Sequence, residues 1–111
     1  MTDNRGLAAA FGVLSVAWTL LGHSVGYFVG MSASTIWLGF VTTLLVLIFT
    51  PAVMSKARWT ALGAVIAGVI SIIEHSLGLI TLPMNLAYGP AVAAVLALAF
   101  TYFSFRAYQQ K

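Results

Sequence analysis

Formal charge is confined to the two ends of the chain and to one short loop, with Glu74 as the single exception. The other charged residues are Asp3, Arg5, Lys56, Arg58, Arg106 and Lys111. Between them the chain is largely apolar, so that 61% of its residues are hydrophobic and 6% are charged. Because a soluble domain carries about 25% charged residues, this pattern predicts an integral membrane protein.

Four apolar stretches, at about residues 7–30, 33–54, 59–81 and 90–106, are long enough to cross a bilayer. A helix needs roughly 17 to 25 residues for this, whereas a spanning strand needs only about 9–11 residues of alternating character. The stretches are longer than such strands and do not alternate. We therefore predict a single all-α domain over residues 1–111, a four-helix bundle of transmembrane helices.

The start of the fourth helix has two interpretations. The pair Gly89-Pro90 is typical of a stop followed by a new helix, which favours a start at Pro90. Alternatively, the helix starts at Pro83 and is kinked at Pro90. We prefer the start at Pro90.

The distribution of basic residues predicts the topology. All five Lys and Arg residues lie in the amino-terminal tail, the second loop or the carboxyl-terminal tail, and none lies in the first or third loop. The positive-inside rule then places both termini in the cytoplasm, in a multi-pass protein of the inner or plasma membrane. Since these residues flank membrane spans, we expect lipids and other integral membrane subunits as partners, and no nucleic acid.

Two similar segments contain the only histidines of the chain, His23-Ser24-Val25-Gly26 and His75-Ser76-Leu77-Gly78. When they are aligned, each half of the chain consists of two predicted helices. This indicates either a tandem two-helix repeat or a chance likeness between apolar helices. In both cases the two histidines lie equally far along helices that start on the cytoplasmic side, so we expect them at one depth in the outer third of the bilayer.

Small residues accompany both histidines on one face of each helix. In the first helix this face includes Gly12, Ser15 and Thr19, and Gly22, Gly26 and Gly30 form a glycine zipper. In the third helix the face consists of Gly68, Ser71, His75 and Gly78. We therefore predict that both imidazoles point into the bundle, that Trp18 faces lipid or a partner, and that the aromatic run 100–105 forms an interface belt.

One functional hypothesis is a b-type haem with His23 and His75 as its axial iron ligands. Gly22, Gly26 and Gly78 would leave room for the flat macrocycle beside the ligands. In a general way the arrangement resembles the haem-carrying membrane anchors of respiratory dehydrogenases. A small chain with almost no mass outside the membrane is typical of accessory subunits, so we favour a small accessory or anchor subunit of a larger respiratory or redox complex, which takes part in electron transport without being an enzyme by itself.

A second hypothesis is a small proton- or cation-coupled transporter in which Glu74 and the two histidines form a proton relay. The length and the four spans are similar to those of the small multidrug transporters, although those proteins carry their essential glutamate in the first helix, where this chain has none. In a third interpretation, Glu74 and the histidines are polar glue that fixes helix register in a docking subunit without a cofactor. A lone carboxylate within the spans argues against a paired-carboxylate active site.

The haem hypothesis predicts that protein purified from a haem-replete host shows a b-type Soret band. Replacing either axial ligand, as in His23→Ala or His75→Ala, should abolish the band because each histidine would supply one iron ligand. An absorption spectrum measures this directly, and a colourless wild-type protein would rule out the haem.

Overall fold

The computed structural model describes residues 4–28, 33–55, 57–81 and 88–109, with side chains except at 23–28, 33–36 and 81. These residues form four helices, α1 (Asn4–Phe28), α2 (Ala33–Ala52), α3 (Arg58–Thr81) and α4 (Tyr88–Gln109). The prediction of an all-helical chain with four helices is confirmed. Among the described residues, α1, α3 and α4 are long and apolar enough to cross a membrane, and the apolar part of α2, Trp37–Ala52, is shorter.

Helix α4 begins at Tyr88, two residues before Pro90. Pro90 therefore lies in the first turn, where a backbone N–H has no partner within the helix and its loss is tolerated. The alternative start at Pro83 falls on residues 82–87, which lie outside the described part of the chain.

The helices follow one another around the bundle. Helix α1 packs against α2 and α4, and α3 packs against the same two helices, so that α1 and α3 face each other across the diagonal. Helices α3 and α4 are antiparallel, since Arg58 at the start of α3 donates a hydrogen bond to the carbonyl of Tyr108 at the end of α4 (3.3 Å). Helices α1 and α2 are antiparallel as well, since Arg5 at the start of α1 bonds the carbonyl of Val53, just after α2. We call the end of the bundle that carries Arg5, Arg58 and Arg106 the basic end.

Both hairpins of the bundle are closed at the basic end in a similar way. In the α1–α2 hairpin, the Arg5 guanidinium donates to the carbonyls of Val53 (2.7 Å) and Ser55, just after α2. In the α3–α4 hairpin, Arg58 bonds the carbonyl of Tyr108 and also lies over the ring of that residue, 4.6 Å from its centroid. Each arginine thus binds carbonyl oxygens at or just beyond the carboxyl end of the neighbouring helix, where the helix itself offers no backbone N–H.

The core is made of small side chains around one large one. Its buried apolar residues include Ala8, Val16, Val46, Val53, Ala61, Ala64, Ala67, Ala93, Ala97, Phe100 and Ala107. Phe100 is fully buried and lies between α1 and α3, where a Cβ added to Gly12 or Gly68 would come within 3.0 or 3.3 Å of its ring. The prediction that the aromatic run forms an interface belt is therefore wrong for Phe100.

Large apolar side chains cover the outside of the bundle. On α3, for example, Ile66, Ile73 and Ile80 are exposed, while the alanines of the same helix are buried. This arrangement suits a membrane, because lipid solvates large apolar side chains and small residues let neighbouring helices approach closely.

Glycines mark the closest approaches between helices. A Cβ at Gly12 would overlap Thr50 of α2, and one at Gly68 would overlap Thr101 of α4. The predicted zipper does not continue in this way at Gly22, which is exposed and has no described atom within 4 Å of an added Cβ. Gly26 and Gly30 lie outside the residues whose side-chain environment is described.

We expect Gly68→Ala to destabilise the bundle, because the added methyl group would push Thr101 and α4 away from α3. Overpacking of this kind costs about 1–3 kcal/mol. The matched control is Gly22→Ala, where no described atom lies within 4 Å of the added methyl group and alanine is the better helix former by about 1 kcal/mol. Unfolding in mixed detergent micelles measures both variants, and equal stabilities would contradict this packing.

Candidate functional site

A cluster of polar side chains interrupts the apolar core in the half of the bundle away from the basic end. It consists of Ser71, Glu74 and His75 from α3 and Thr19 from α1. Residues three or four apart share one face of a helix, which places Ser71 and His75 together above Gly68. All three are buried, as are Gly12, Ser15 and Thr19 on α1. The predicted inward faces are thus confirmed at these positions.

The first ring nitrogen of His75 is held by its own helix. Nδ1 lies 2.7 Å from the carbonyl oxygen of Ser71 and 3.2 Å from the hydroxyl oxygen of the same residue. Because a carbonyl oxygen only accepts hydrogen bonds, Nδ1 carries a proton and donates it to Ser71. This bond fixes the orientation of the ring and leaves the second nitrogen, Nε2, pointing away from the α3 backbone.

The second ring nitrogen meets two oxygen atoms. Nε2 lies 3.3 Å from Oγ1 of Thr19, across the diagonal of the bundle, and 3.3 Å from Oε2 of Glu74. Adjacent residues of a helix usually point in different directions, so the Glu74 side chain must turn back along the helix to reach the ring. The His75 and Glu74 side chains are only 7% and 10% exposed.

Nε2 of His75 and Oε2 of Glu74 lie within ion-pair distance, although this contact does not have the geometry of a hydrogen bond. With Nδ1 protonated, a neutral imidazole presents a lone pair at Nε2, and an ionised carboxylate presents another at Oε2. Two lone pairs facing each other in a buried place repel, whereas a proton on either atom would make the contact attractive.

The cluster also bears on the predicted haem. The Nδ1–H bond to a backbone carbonyl is one that metal-bound histidines commonly make. Iron binding at Nε2, however, would require Thr19 and Glu74 to withdraw from that atom. The space beside Gly78 contains Pro90, which would lie 3.2 Å from an added Cβ.

His23 lies in α1 one helical turn beyond Thr19, but its side chain is outside the described residues. The predicted pairing of the two imidazoles therefore stays a prediction. Within the described side chains, no group of three or more His, Cys, Asp or Glu residues is placed to hold a metal ion.

A second polar contact ties α1 to α4 next to this cluster. The indole N–H of Trp18 donates to the carbonyl oxygen of Gly89 in the first turn of α4 (2.8 Å). Trp18 is half-buried, so the prediction that it faces lipid or a partner is wrong for its polar edge. Since Thr19 follows Trp18, consecutive residues of α1 contact α4 and α3.

No protein-family model matches the sequence, and no curated protein or solved structure is significantly similar to it. The function must therefore be argued from the chemistry of the chain itself.

We expect Thr19→Val to destabilise the bundle by about 1 kcal/mol, because the change keeps the shape of the side chain but removes its hydrogen bond to His75. The matched control is Thr43→Val. Thr43 is similarly buried, but its hydroxyl donates to the carbonyl of Gly39 in its own helix (2.7 Å). Unfolding measurements in detergent compare the two variants, and equal losses would contradict a stabilising bond between α1 and α3.

Proposed function

We propose that this is an integral protein of the inner or plasma membrane with its basic end in the cytoplasm. Both termini and the second loop then lie on the cytoplasmic side, as the positive-inside rule requires. The exposed large apolar side chains of the bundle support contact with lipid tails. In this orientation the Glu74–His75 pair lies in the outer half of the membrane.

We further propose that Glu74 and His75 are the proton-binding site of a small proton- or cation-coupled transporter. The observation that carries this proposal is the 3.3 Å approach of Nε2 to Oε2, which places the two atoms where they can share one proton. Ionisable side chains within membrane spans are costly, usually face the interior of the bundle, and often mark the paths of transported protons and ions.

The surrounding residues suit reversible proton binding. The Ser71 carbonyl keeps the imidazole in place in both protonation states, because it holds the Nδ1 proton that stays. When the shared proton leaves, the Thr19 hydroxyl can donate to Nε2 in its place. His23, one turn further from the basic end on α1, is the next residue that we propose for a relay toward the outer surface.

A second candidate is the small accessory subunit of a larger membrane complex. It is favoured by the large apolar side chains on the outside of the bundle, which can pack against other membrane subunits as well as against lipid. If this subunit carried a haem between His23 and His75, the haem would supply electron transfer. Mild-detergent purification tests this candidate, because larger subunits should then co-purify.

We expect voltage-driven proton uptake into liposomes that contain the protein and a trapped pH-sensitive dye. Glu74→Gln should reduce this uptake to the level of protein-free liposomes, because an amide cannot take part in reversible proton transfer. Thr43→Val serves as the reconstitution control and should retain uptake, because the Thr43 hydroxyl bonds the carbonyl of Gly39 in its own helix. Wild-type uptake no faster than that of empty liposomes would contradict the transport proposal.

A further inference from the structure

Two groups of buried hydroxyls lie on either side of the Phe100 ring along the bundle. Toward the basic end, Ser104 of α4 is fully buried, and its hydroxyl has no hydrogen-bond partner among the described residues. Further from the basic end, Ser15 of α1 and Ser71 of α3 are each 2% exposed. The group formed by Ser15 and Ser71 adjoins the proposed proton site, since the Ser71 hydroxyl lies 3.2 Å from Nδ1 of His75.

The ring of Phe100 lies between these two groups. The ring lies at the same height as Gly12 on α1 and Gly68 on α3. Ser15 and Ser71 each follow one of these glycines by three residues, so they lie about one turn further from the basic end. Ser104 follows Phe100 by four residues on the antiparallel helix α4, so it lies about one turn nearer the basic end.

The chemistry of the two levels differs from that of the ring. A buried hydroxyl without a protein partner is commonly satisfied by an ordered water molecule, and the Ser104 hydroxyl is such a group among the described residues. At the level of the ring, the hydroxyls of Thr50 and Thr101 donate to carbonyls of their own helices (2.6 and 2.7 Å), and the ring fills the space that the missing glycine side chains leave. Apolar constrictions of this kind close membrane pathways by excluding water.

We propose that Phe100 is the barrier of a proton path that links the cytoplasmic basic end to the Glu74–His75 pair. This inference rests on the proton-transport function proposed above. When the ring moves aside, water joins the Ser104 level to the level of Ser15 and Ser71. A proton then passes along hydrogen-bonded water by exchange of O–H bonds and ends between Nε2 of His75 and Oε2 of Glu74.

The test compares Phe100→Ala with the wild type in liposomes that contain a trapped pH-sensitive dye. Removing the ring should raise proton uptake about tenfold or more, because water then fills the barrier. The matched control is Phe105→Ala on the same helix, whose side chain is 42% exposed on the outside of the bundle and should leave uptake unchanged. If Phe100→Ala does not fold, Phe100→Leu replaces it, since leucine fills part of the space but lacks the ring.

A double variant separates this proposal from a nonspecific leak. The added uptake should disappear in Phe100→Ala/Glu74→Gln, because the path ends at the pair. Added uptake that persists in the double variant would overturn the proposed path. If wild-type uptake depends on Glu74 and Phe100→Ala leaves it unchanged, the barrier proposal is wrong and the transport proposal stands.

Discussion

The imidazole of His75 is held by a hydrogen bond from Nδ1 to the Ser71 carbonyl, and the polar interior of the bundle depends on that bond. Because Nδ1 keeps its proton there, Nε2 is directed at Thr19 and Glu74. Glu74 is thus placed against an imidazole nitrogen inside the apolar core, where an isolated charge would be costly. A single backbone carbonyl therefore determines how the one acidic residue of the apolar spans is accommodated.

Close helix packing makes this arrangement possible. Alanines and glycines bring the four helices near enough for a threonine on α1 to reach a histidine on α3 across the diagonal. Among the described residues, Phe100 is the one aromatic side chain that this packing buries fully. The chain thus places its large apolar residues outside and reserves its interior for small, hydroxyl-bearing and ionisable side chains, which is the reverse of a soluble protein.

The four helices could be predicted from the sequence because charge and length alone mark them. The inward faces of α1 and α3 could also be predicted, because small and polar residues recur there at helical spacing. The burial of Phe100 and the bond from Trp18 to Gly89 could not be predicted. Both aromatics have mostly apolar sequence neighbours, so the spacing of polar and apolar residues does not distinguish an inward from an outward face there. Likewise, the sequence predicts that Thr19 lies on an inward face, but only the tertiary packing identifies it as the partner of His75.

The most direct test is the protonation of His75 in lipid bilayers, measured by nitrogen-15 solid-state NMR on histidine-labelled protein with His23→Gln to leave one ring. We expect a protonated Nδ1 and an Nε2 signal typical of a strong hydrogen bond or of imidazolium, with the Nε2 signal shifted in Glu74→Gln. An unprotonated Nδ1, or an Nε2 signal that Glu74→Gln leaves unchanged, would contradict the shared proton.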